Sequence, residues 1–349
     1  MYRFNKMLAR MFLLSLVALG AASTVSANTL QERFSDWVDT HAVKFINHAH
    51  EYGTFAAWVE NDKYIETTNA RNLTYTLGHN QFSGMTISEY KDFLGFDASQ
   101  KPSGVSHLRG AAPCRATSGG CTQPASVDWV DAGAVTPVKN QGQCGSCWSF
   151  STTGSLEGAY FIKNGNLESF SEQQLVSCDN RKDHGKDMGC NGGLMDNAFS
   201  WIEYNDGLCA EEDYEYTSGD TKTAGTCMTT CENVVGSKIQ SFVDVPPSSD
   251  ADMMDAVAKQ PVSIAIEADQ KDFQLYTSGV FTGSCGINLD HGVLTVGYGT
   301  MDGVDYYRVK NSWGETWGDE GYIYLGRGSE FNNGAGQCGM LMQASYPVV

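Results

Sequence analysis

The segment 141–150, with the sequence QGQCGSCWSF, constrains this chain more than any other stretch. It places Cys147 at the start of a predicted helix, where the helix N-terminus favours the anionic thiolate over the thiol. Gln141 lies six residues upstream and can offer a side-chain N–H to an oxyanion. A nucleophilic thiolate needs a histidine base and a group that orients the histidine, and His291 and Asn311 are the candidates. The fold must therefore bring the middle of the chain against its carboxyl-terminal part.

Four short motifs follow one another along the chain: Cys144-Gly145-Ser146-Cys147-Trp148, Gly189-Cys190-Asn191-Gly192-Gly193, Asp290-His291-Gly292 and Asn311-Ser312-Trp313-Gly314. In the same order, they resemble the motifs of the papain and cathepsin cysteine peptidases. One Cys-x-x-Cys would be a weak signal, whereas four motifs in order are specific. The resemblance is strongest to cathepsin L and extends from about Phe34 to Pro347.

The resemblance implies an α+β fold of the papain-like two-lobe type, preceded by a helical inhibitory propeptide. A helical lobe would carry Cys147, and a β-barrel-like lobe would carry His291 and Asn311, with the cleft between the lobes. Cys147 would act as nucleophile and His291 as general base and later general acid, with the two poised as thiolate and imidazolium. Asn311 would orient the imidazole, and Gln141 with the backbone N–H of Cys147 would form the oxyanion hole.

The resemblance also predicts the residues that contact a substrate. Glycines without side chains would let an extended substrate backbone pair as a strand, and an apolar pocket with a polar floor would select the second residue before the scissile bond. Trp313 would shield the bond between His291 and Asn311 from water. The expected substrate-binding residues are Gly192, Gly193, Leu194, Met195, Ala265, Leu289, Asp290, Gly292, Trp313 and, as the floor, Gln343.

Charge and the amino terminus bound the partners and the compartment. The formal net charge of −18 argues against a nucleic acid or an anionic membrane as partner. Residues 1–27 carry three basic residues within the first ten, Arg3, Lys6 and Arg10, continue with an apolar run and end in Val25-Ser26-Ala27, which is the pattern of a secretory signal peptide. A membrane anchor is the alternative, but the run is too short to span a bilayer. We therefore expect a protein of the secretory pathway, either in a lysosome or vacuole or outside the cell.

Eleven cysteines in a secreted chain imply disulfides, and the odd count leaves at least one thiol over. The resemblance supplies three pairings and two further pairs look like additions, which together leave Cys147 single. In that order they are Cys144–Cys190, Cys178–Cys227 and Cys285–Cys338, then Cys209–Cys231 and Cys114–Cys121. The alternative is a zinc site built on Cys144 and Cys147, but no second close pair with matching spacing follows. We expect neither a metal nor a cofactor.

Four segments are expected along the chain: a signal peptide at 1–27, an inhibitory propeptide at 28–96, a linker with the maturation cleavage at 97–123, and a peptidase domain at 124–349. The second segment lacks cysteine and carries apolar residues at helical spacing. Its pattern Asn61-x3-Ile65-x3-Asn69 resembles the family's propeptide motif, but Thr54 and His50 replace an expected arginine and glutamate. Gly84 replaces the aspartate that closes a second motif.

The peptidase part is predicted to begin with helices and to end with strands. Residues 146–163 and 194–204 read as helices, and Ser171 as the start of a capping box. Residues 293–298 and 306–310 read as strands joined by a turn at Asp302-Gly303. The turn places opposite each other residues whose numbers sum to about 604, so His291 and Asn311 should face each other at the open end of the hairpin.

The function implied is that of a cysteine endopeptidase made as an inactive precursor, which hydrolyses peptide bonds through a thioester and prefers apolar residues in the second position before the cut. Its partners would be polypeptide substrates, its own propeptide as an intramolecular inhibitor and cystatin-type inhibitors, and we expect a monomer. A catalytically inactive homologue that acts by binding is one alternative, although all four catalytic positions are intact. A cysteine-rich structural protein is another, but it would not need the leftover thiol.

Overall fold

The computed structural model describes residues 29–96 and 123–349. The expected signal peptide, nearly all of the expected linker and the expected pair Cys114–Cys121 lie outside these residues. Within the two described ranges, no helix is long and apolar enough to cross a membrane.

The amino-terminal part, residues 29–96, is helical as predicted. Its elements are α1 (Leu30–Thr40), α2 (His48–Asn69), β1 (Tyr75–Leu77) and α3 (Ile87–Lys91). Capping boxes open α1 and α3, because a threonine and a glutamate three residues later bond each other's backbone N–H groups. Aromatic residues of α1 and α2 form a small core of their own around Phe34, Trp37 and Trp58.

A helical lobe follows, built from α4 (Cys147–Asn164), α5 (Glu172–Cys178), α6 (Met195–Tyr204) and α7 (Ser218–Thr221). The central helix α4 is buried along its whole length from Cys147 to Tyr160 and ends at Gly165 in the left-handed conformation. Ser171 caps α5 by accepting the N–H of Gln174. The expected capping box is not completed, because the Gln174 side chain accepts the N–H of Cys209 instead.

The second lobe is a sheet that β1 also joins. Its other strands are β2 (Val127–Asp128), β3 (Ser241–Asp244), β4 (Val262–Ile266), β5 (Tyr276–Phe281), β6 (His291–Met301), β7 (Val304–Lys310), β8 (Tyr322–Gly326) and β9 (Ala344–Val348). The strands run in the order β1-β5-β8-β7-β6-β4-β9-β3, with β2 also paired to β6. Along this path every pair is antiparallel except β5 with β8. Helix α8 (Asp250–Val257) packs against β6, and α9 (Lys271–Gln274) places Phe273 against Phe281 of β5.

The hairpin of β6 and β7 confirms the predicted register. Leu294 lies opposite Lys310, and Met301 lies opposite Val304 at the turn. The register shifts once, between Thr295 and Gly297. Both strands are longer than predicted, and β6 also pairs with β4, so that His291 lies opposite Ile266. His291 is therefore the first residue of a strand held on both sides.

The amino-terminal part is joined to this sheet by β1, which pairs antiparallel with β5 and forms the edge of the sheet. A strand added at an edge satisfies backbone groups that would otherwise face water. The two lobes have separate cores, one around α4 to α6 and one within the sheet. Cys147 belongs to the first core, and Trp313 belongs to the second.

Four disulfides join the described cysteines in the pairings expected above: Cys144–Cys190, Cys178–Cys227, Cys209–Cys231 and Cys285–Cys338. Among the described cysteines, Cys147 alone is free. The disulfide of Cys144 removes the thiolate that a zinc site on Cys144 and Cys147 would need. The zinc alternative is therefore wrong.

Candidate active site

Cys147 is the first residue of α4, so its thiol lies at the end of the helix where unpaired N–H groups favour negative charge. The residue is fully buried, and its Sγ accepts a hydrogen bond of 3.3 Å from the backbone N–H of Gly292. Gly292 follows His291 on β6. The thiol of the helical lobe thus lies directly against the strand that carries the candidate base.

His291 and Asn311 meet across the open end of the hairpin. His291 Nε2 and Asn311 Oδ1 are 2.8 Å apart, and Asn311 Oδ1 also accepts the N–H of Ser312. The Trp313 ring stacks on the imidazole with 4.6 Å between ring centroids. Because Asn311 Oδ1 accepts a hydrogen bond from Nε2–H, Nδ1 is the unprotonated nitrogen of the neutral imidazole and can accept a proton. Nδ1 has no hydrogen-bond partner among the described residues.

Gln141 is fully buried and held in one orientation from both ends of its side chain. Its Oε1 accepts a hydrogen bond of 2.7 Å from Ser312 Oγ, which fixes Nε2 as the donor end. Nε2 donates to the carbonyl oxygens of Cys144 and Phe93, each at 3.0 Å. The Phe93 contact means that the donor expected to stabilise an oxyanion already binds a peptide carbonyl.

The end of the amino-terminal part, residues 93–96, lies in the cleft between the lobes. After Phe93 the chain passes Gly145 so closely that a Cβ on Gly95 would lie 2.1 Å from the Gly145 carbonyl oxygen. The Gly95 carbonyl accepts the N–H of Gly193 at 3.2 Å, and Phe96 N–H donates to the Asp290 carbonyl at 3.0 Å. Phe96 runs parallel to Gly193 in an isolated bridge. The segment fills the place of an extended peptide.

Burial in this cleft sets the protonation of the two central groups. It raises the pKa of the Cys147 thiol to about 11, although hydrogen bonds from backbone N–H groups, those of Gly292 and Gly95 first, pull the other way. Burial also lowers the pKa of His291 to about 4, against the hydrogen bond to Asn311. Near neutral pH both groups are uncharged in this state. The thiolate and imidazolium pair is therefore disfavoured while residues 93–96 cover the cleft.

The structure brings the expected pocket walls together. Leu194, Met195 and Ala265 are buried in one cluster with Phe96, and the partly buried Leu289 packs against it. Beside this wall, a Cβ on Gly292 would lie 3.2 Å from Met195 Sδ. An aromatic side chain of the covering segment thus occupies the region where the resemblance places a substrate side chain.

Four of the expected binding residues differ in how they face the cleft. Gly193 contacts the covering segment directly, whereas Gly192 uses its N–H and carbonyl in bonds within its own loop. Asp290 contacts Phe96 through its backbone carbonyl, whereas its carboxylate accepts the N–H of Ala268. Gln343 is 7% exposed, its carbonyl accepts the N–H of Ala265, and its side-chain Nε2 has no partner among the described residues.

Sequence reasoning did not find the residues that support or cover this site. Ser312 orients Gln141, and its only sequence signal was its place between Asn311 and Trp313. Phe93, Gly95 and Phe96 carried a weaker signal, a glycine among apolar residues before a linker. Nothing local in that signal shows which surface the segment contacts.

Comparison with known proteins gives the class. Residues 123–348 match the family model described as papain family cysteine protease, and residues 34–90 match the cathepsin propeptide inhibitor domain. The chain belongs to the papain family of cysteine proteases and carries its inhibitory propeptide in the same polypeptide. Its fold, class and domain pair are those of a cysteine endopeptidase made as a zymogen, as expected from the motifs.

Individual relatives agree with this assignment. The chain is 44% identical over 295 residues to cysteine proteinase RD21A of Arabidopsis thaliana, covering 84% of this chain and 61% of that protein. It is 40% identical over 354 residues to the KDEL-tailed cysteine endopeptidase CEP2 of the same plant, covering 98% of this chain and 95% of the relative. The recombinant stem bromelain precursor superposes with a TM-score of 0.80 at 36% identity, covering 92% of this chain and 99% of the precursor.

Proposed function

We propose that the mature form of this chain hydrolyses peptide bonds with Cys147 as nucleophile. One observation carries the proposal: the Phe93 carbonyl, a peptide carbonyl in the cleft, is bonded to Gln141 Nε2 at 3.0 Å, beside the only free thiol of the described residues. A substrate carbonyl bound in the same way would have its developing oxyanion next to a fixed donor. His291 and Asn311 complete the constellation that such a nucleophile requires.

The reaction has two halves. The Cys147 thiolate attacks the scissile carbonyl carbon, and the oxyanion is held by Gln141 Nε2 and the Cys147 backbone N–H. The tetrahedral intermediate collapses to a thioester as the His291 imidazolium donates its proton to the leaving amine. His291 then takes a proton from water as the water attacks the thioester carbon. Collapse of this second tetrahedral intermediate breaks the C–S bond and releases the carboxylic acid, with the Cys147 thiolate as leaving group. Thiolate and imidazolium are thereby restored, so the site ends as it began.

The propeptide blocks this reaction by occupying the cleft. The Phe93 carbonyl binds the oxyanion donor Gln141, and the Gly95 carbonyl accepts the N–H of Gly193. Phe96 packs in the apolar cluster that would bind a substrate side chain. We propose that a cut within the linker at 97–123 releases the peptidase domain at 124–349 from the propeptide at 28–96. The protein would act as a monomer in a lysosome, a vacuole or the extracellular space, with cystatin-type proteins as inhibitors.

The pocket occupied by Phe96 is proposed to select apolar residues in the second position before the cut. Burying a Leu or Phe side chain there would contribute roughly 1.5–3 kcal/mol. Its proposed floor, Gln343, is uncharged, so arginine would bind weakly by hydrogen bonding alone.

Substitution of the nucleophile tests the proposed function. Cys147→Ala and Cys147→Ser, prepared as activated enzyme, should each lower kcat on a peptide with Leu in the second position by more than about 1,000-fold. Cys147→Ser keeps a polar side chain of similar size and controls for packing, and thermal unfolding should be close to that of the wild type for both. Turnover of either variant near the wild-type value would show that another group is the nucleophile.

A further inference from the structure

Among the described residues, two ion pairs join the propeptide to the sheet lobe, Glu60 with Lys271 and Lys91 with Asp269, and the second lies at the cleft. Lys91, the last residue of α3, places Nζ 2.6 Å from Asp269 Oδ2. The other carboxylate oxygen of Asp269 accepts a hydrogen bond of 2.7 Å from Gln270 Nε2. The Asp269 side chain is 23% exposed even with the propeptide in place, so release of the propeptide opens Oδ2 to another cation.

The position of Lys91 follows from the path of the propeptide. Phe96 lies in the apolar cluster that would bind the residues before the scissile bond, and Phe93 binds the oxyanion donor Gln141. Lys91 comes two residues earlier still, so it lies beyond the nucleophile on the opposite side from Phe96. A neighbouring contact agrees, since Tyr90 Oη donates to the carbonyl of Ala268, next to Asp269.

Two more carboxylates adjoin Lys91, but they have other partners. Glu267 is buried and accepts the backbone N–H groups of Gly286 and Asn288, which fixes the loop before Asp290. The Asp290 carboxylate accepts the N–H of Ala268. The hydrogen bond to Asp269 raises the pKa of Lys91 most, and the negative charges of Asp269, Asp290 and Glu267 add to the rise. Asp269 is therefore the member of the group that is free to bind an incoming side chain.

We propose that Asp269 forms a subsite for a basic side chain, lysine or arginine, in the first or second position after the scissile bond. The propeptide shows the occupant's chemistry, since its own ammonium group fills the subsite in the precursor. Lys91 is two residues from Phe93, whose carbonyl binds Gln141 where the scissile carbonyl would bind. This short separation limits the subsite to the first two positions after the scissile bond. The inference rests on the proposed function, because it concerns substrates of that site.

Matched peptides test the subsite on activated enzyme obtained from the full-length precursor. Each peptide has Leu in the second position before the cut, and the two positions after it are both Lys or both Gln. The wild type should cleave the Lys peptide with a kcat/KM about fivefold higher, as expected for one partly exposed ion pair, and rising salt should reduce the ratio. Asp269→Asn should bring the ratio close to one.

A control variant and a charge reversal keep the test decisive. Asp255→Asn removes the same charge from α8, where Asp255 pairs with Lys259, and should leave the ratio at the wild-type value. Asp269→Lys should reverse the preference toward a matched Glu peptide. Ratios within one variant cancel any general loss of activity from the substitution.

The outcomes separate this inference from the proposed function. If the wild type cleaves neither peptide, the proposed function fails. If it cleaves both with equal kcat/KM, or if Asp269→Asn keeps the wild-type ratio, the subsite is wrong and the peptidase assignment stands. In that case the contact of Lys91 with Asp269 serves the precursor alone.

Discussion

Cys147 and His291 are both buried as neutral groups in the precursor, so we expect neither to take part in a reaction there. Burial raises the pKa of the Cys147 thiol to about 11 and lowers that of His291 to about 4. Departure of residues 93–96 would readmit water to both side chains and remove the largest cause of each shift. The thiolate and imidazolium can then stabilise each other, and the helix N-terminus favours the thiolate further.

Alkylation by iodoacetamide should therefore report the state of the cleft. Activated enzyme should be alkylated at Cys147 at about pH 6, where an ordinary thiol is almost wholly protonated. The precursor should react slowly at that pH, with a rate that rises only toward alkaline pH as its thiol ionises. Equal rates at about pH 6 for precursor and activated enzyme would contradict the effect of burial.

Gln343 is the second residue whose role can be tested by one substitution. Its side-chain Nε2 is unpartnered among the described residues, next to the wall that includes Ala265. Gln343→Glu should raise the kcat/KM for a peptide with Arg in the second position relative to one with Leu, because a carboxylate can pair with the guanidinium. An unchanged ratio, or a wild type that prefers Arg, would mean that Gln343 is not the floor of the pocket.

At the scale of elements, the loop between α5 and α6 depends on two buried carboxyl groups. Asp187 Oδ1 accepts the N–H of Leu194 and an N–H of Asn197, while Asp179 Oδ1 accepts the N–H of Lys186. The second oxygen of each aspartate is buried without another partner among the described residues. Burial raises the pKa of both, and that of Asp187 well above its ordinary value, with the neighbouring Asp179 raising it further. We therefore expect the two carboxyl groups to share one proton.

A shared proton should make the free energy of unfolding fall as pH rises. A carboxyl with a raised pKa binds a proton in the folded state that the unfolded chain has lost, so its contribution is present at low pH and decreases from the ordinary carboxyl pKa upward. Asp187→Asn supplies a permanent N–H to Asp179 and should flatten this loss, with a higher Tm than the wild type near neutral pH. The exposed Asp213→Asn controls for net charge. Parallel Tm curves for Asp187→Asn and the wild type between pH 4 and pH 8 would refute the shared proton.

The propeptide helices depend on a close contact at a position where the family has an aspartate. A Cβ on Gly84 would lie 2.5 Å from Thr54 Cγ2 and 2.6 Å from Trp37 Cη2. Thr54 itself stands where an arginine was expected, so two of the three departures from the family pattern, Thr54 and Gly84, lie in one packed contact. Tight packing replaces charged side chains here.

Gly84→Ala should therefore loosen the propeptide, by about 1–3 kcal/mol if neighbours must shift. Gly53→Ala is the matched control, because Gly53 lies in α2 with nothing within 4 Å of an added Cβ, and alanine favours a helix over glycine. Gly84→Ala should mature faster at acid pH than the wild type, and Gly53→Ala no faster. Similar maturation rates for the two variants would show that the contact at Gly84 does not hold the propeptide.

At the scale of the whole molecule, local signals predicted the hairpin that builds the site. The turn at Asp302-Gly303 and the strands beside it were enough to place His291 opposite Asn311. The central burial of α4 followed from apolar residues on more than one face. These features depend on short stretches of sequence, which is why they could be predicted.

The remaining features depend on contacts between distant segments. Nothing in Tyr75–Leu77 shows that it becomes the edge strand beside β5, and nothing in residues 93–96 shows that they cross the cleft. The contact of Lys91 with Asp269 joins surfaces that exist only after both parts have folded. Spacing alone also could not give the disulfide connectivity, and the resemblance supplied three of the pairs.

The central claim is that Cys147 is the one reactive thiol of this protein and that the propeptide covers it. An epoxysuccinyl inhibitor, followed by intact-mass measurement and peptide mapping, tests both halves in one experiment. Activated enzyme should gain one inhibitor mass, located on Cys147, and lose its peptidase activity in proportion to the labelled fraction. The precursor should gain none under the same conditions. Labelling at another residue, or labelling of Cys147 in the precursor at the rate seen after activation, would contradict the account.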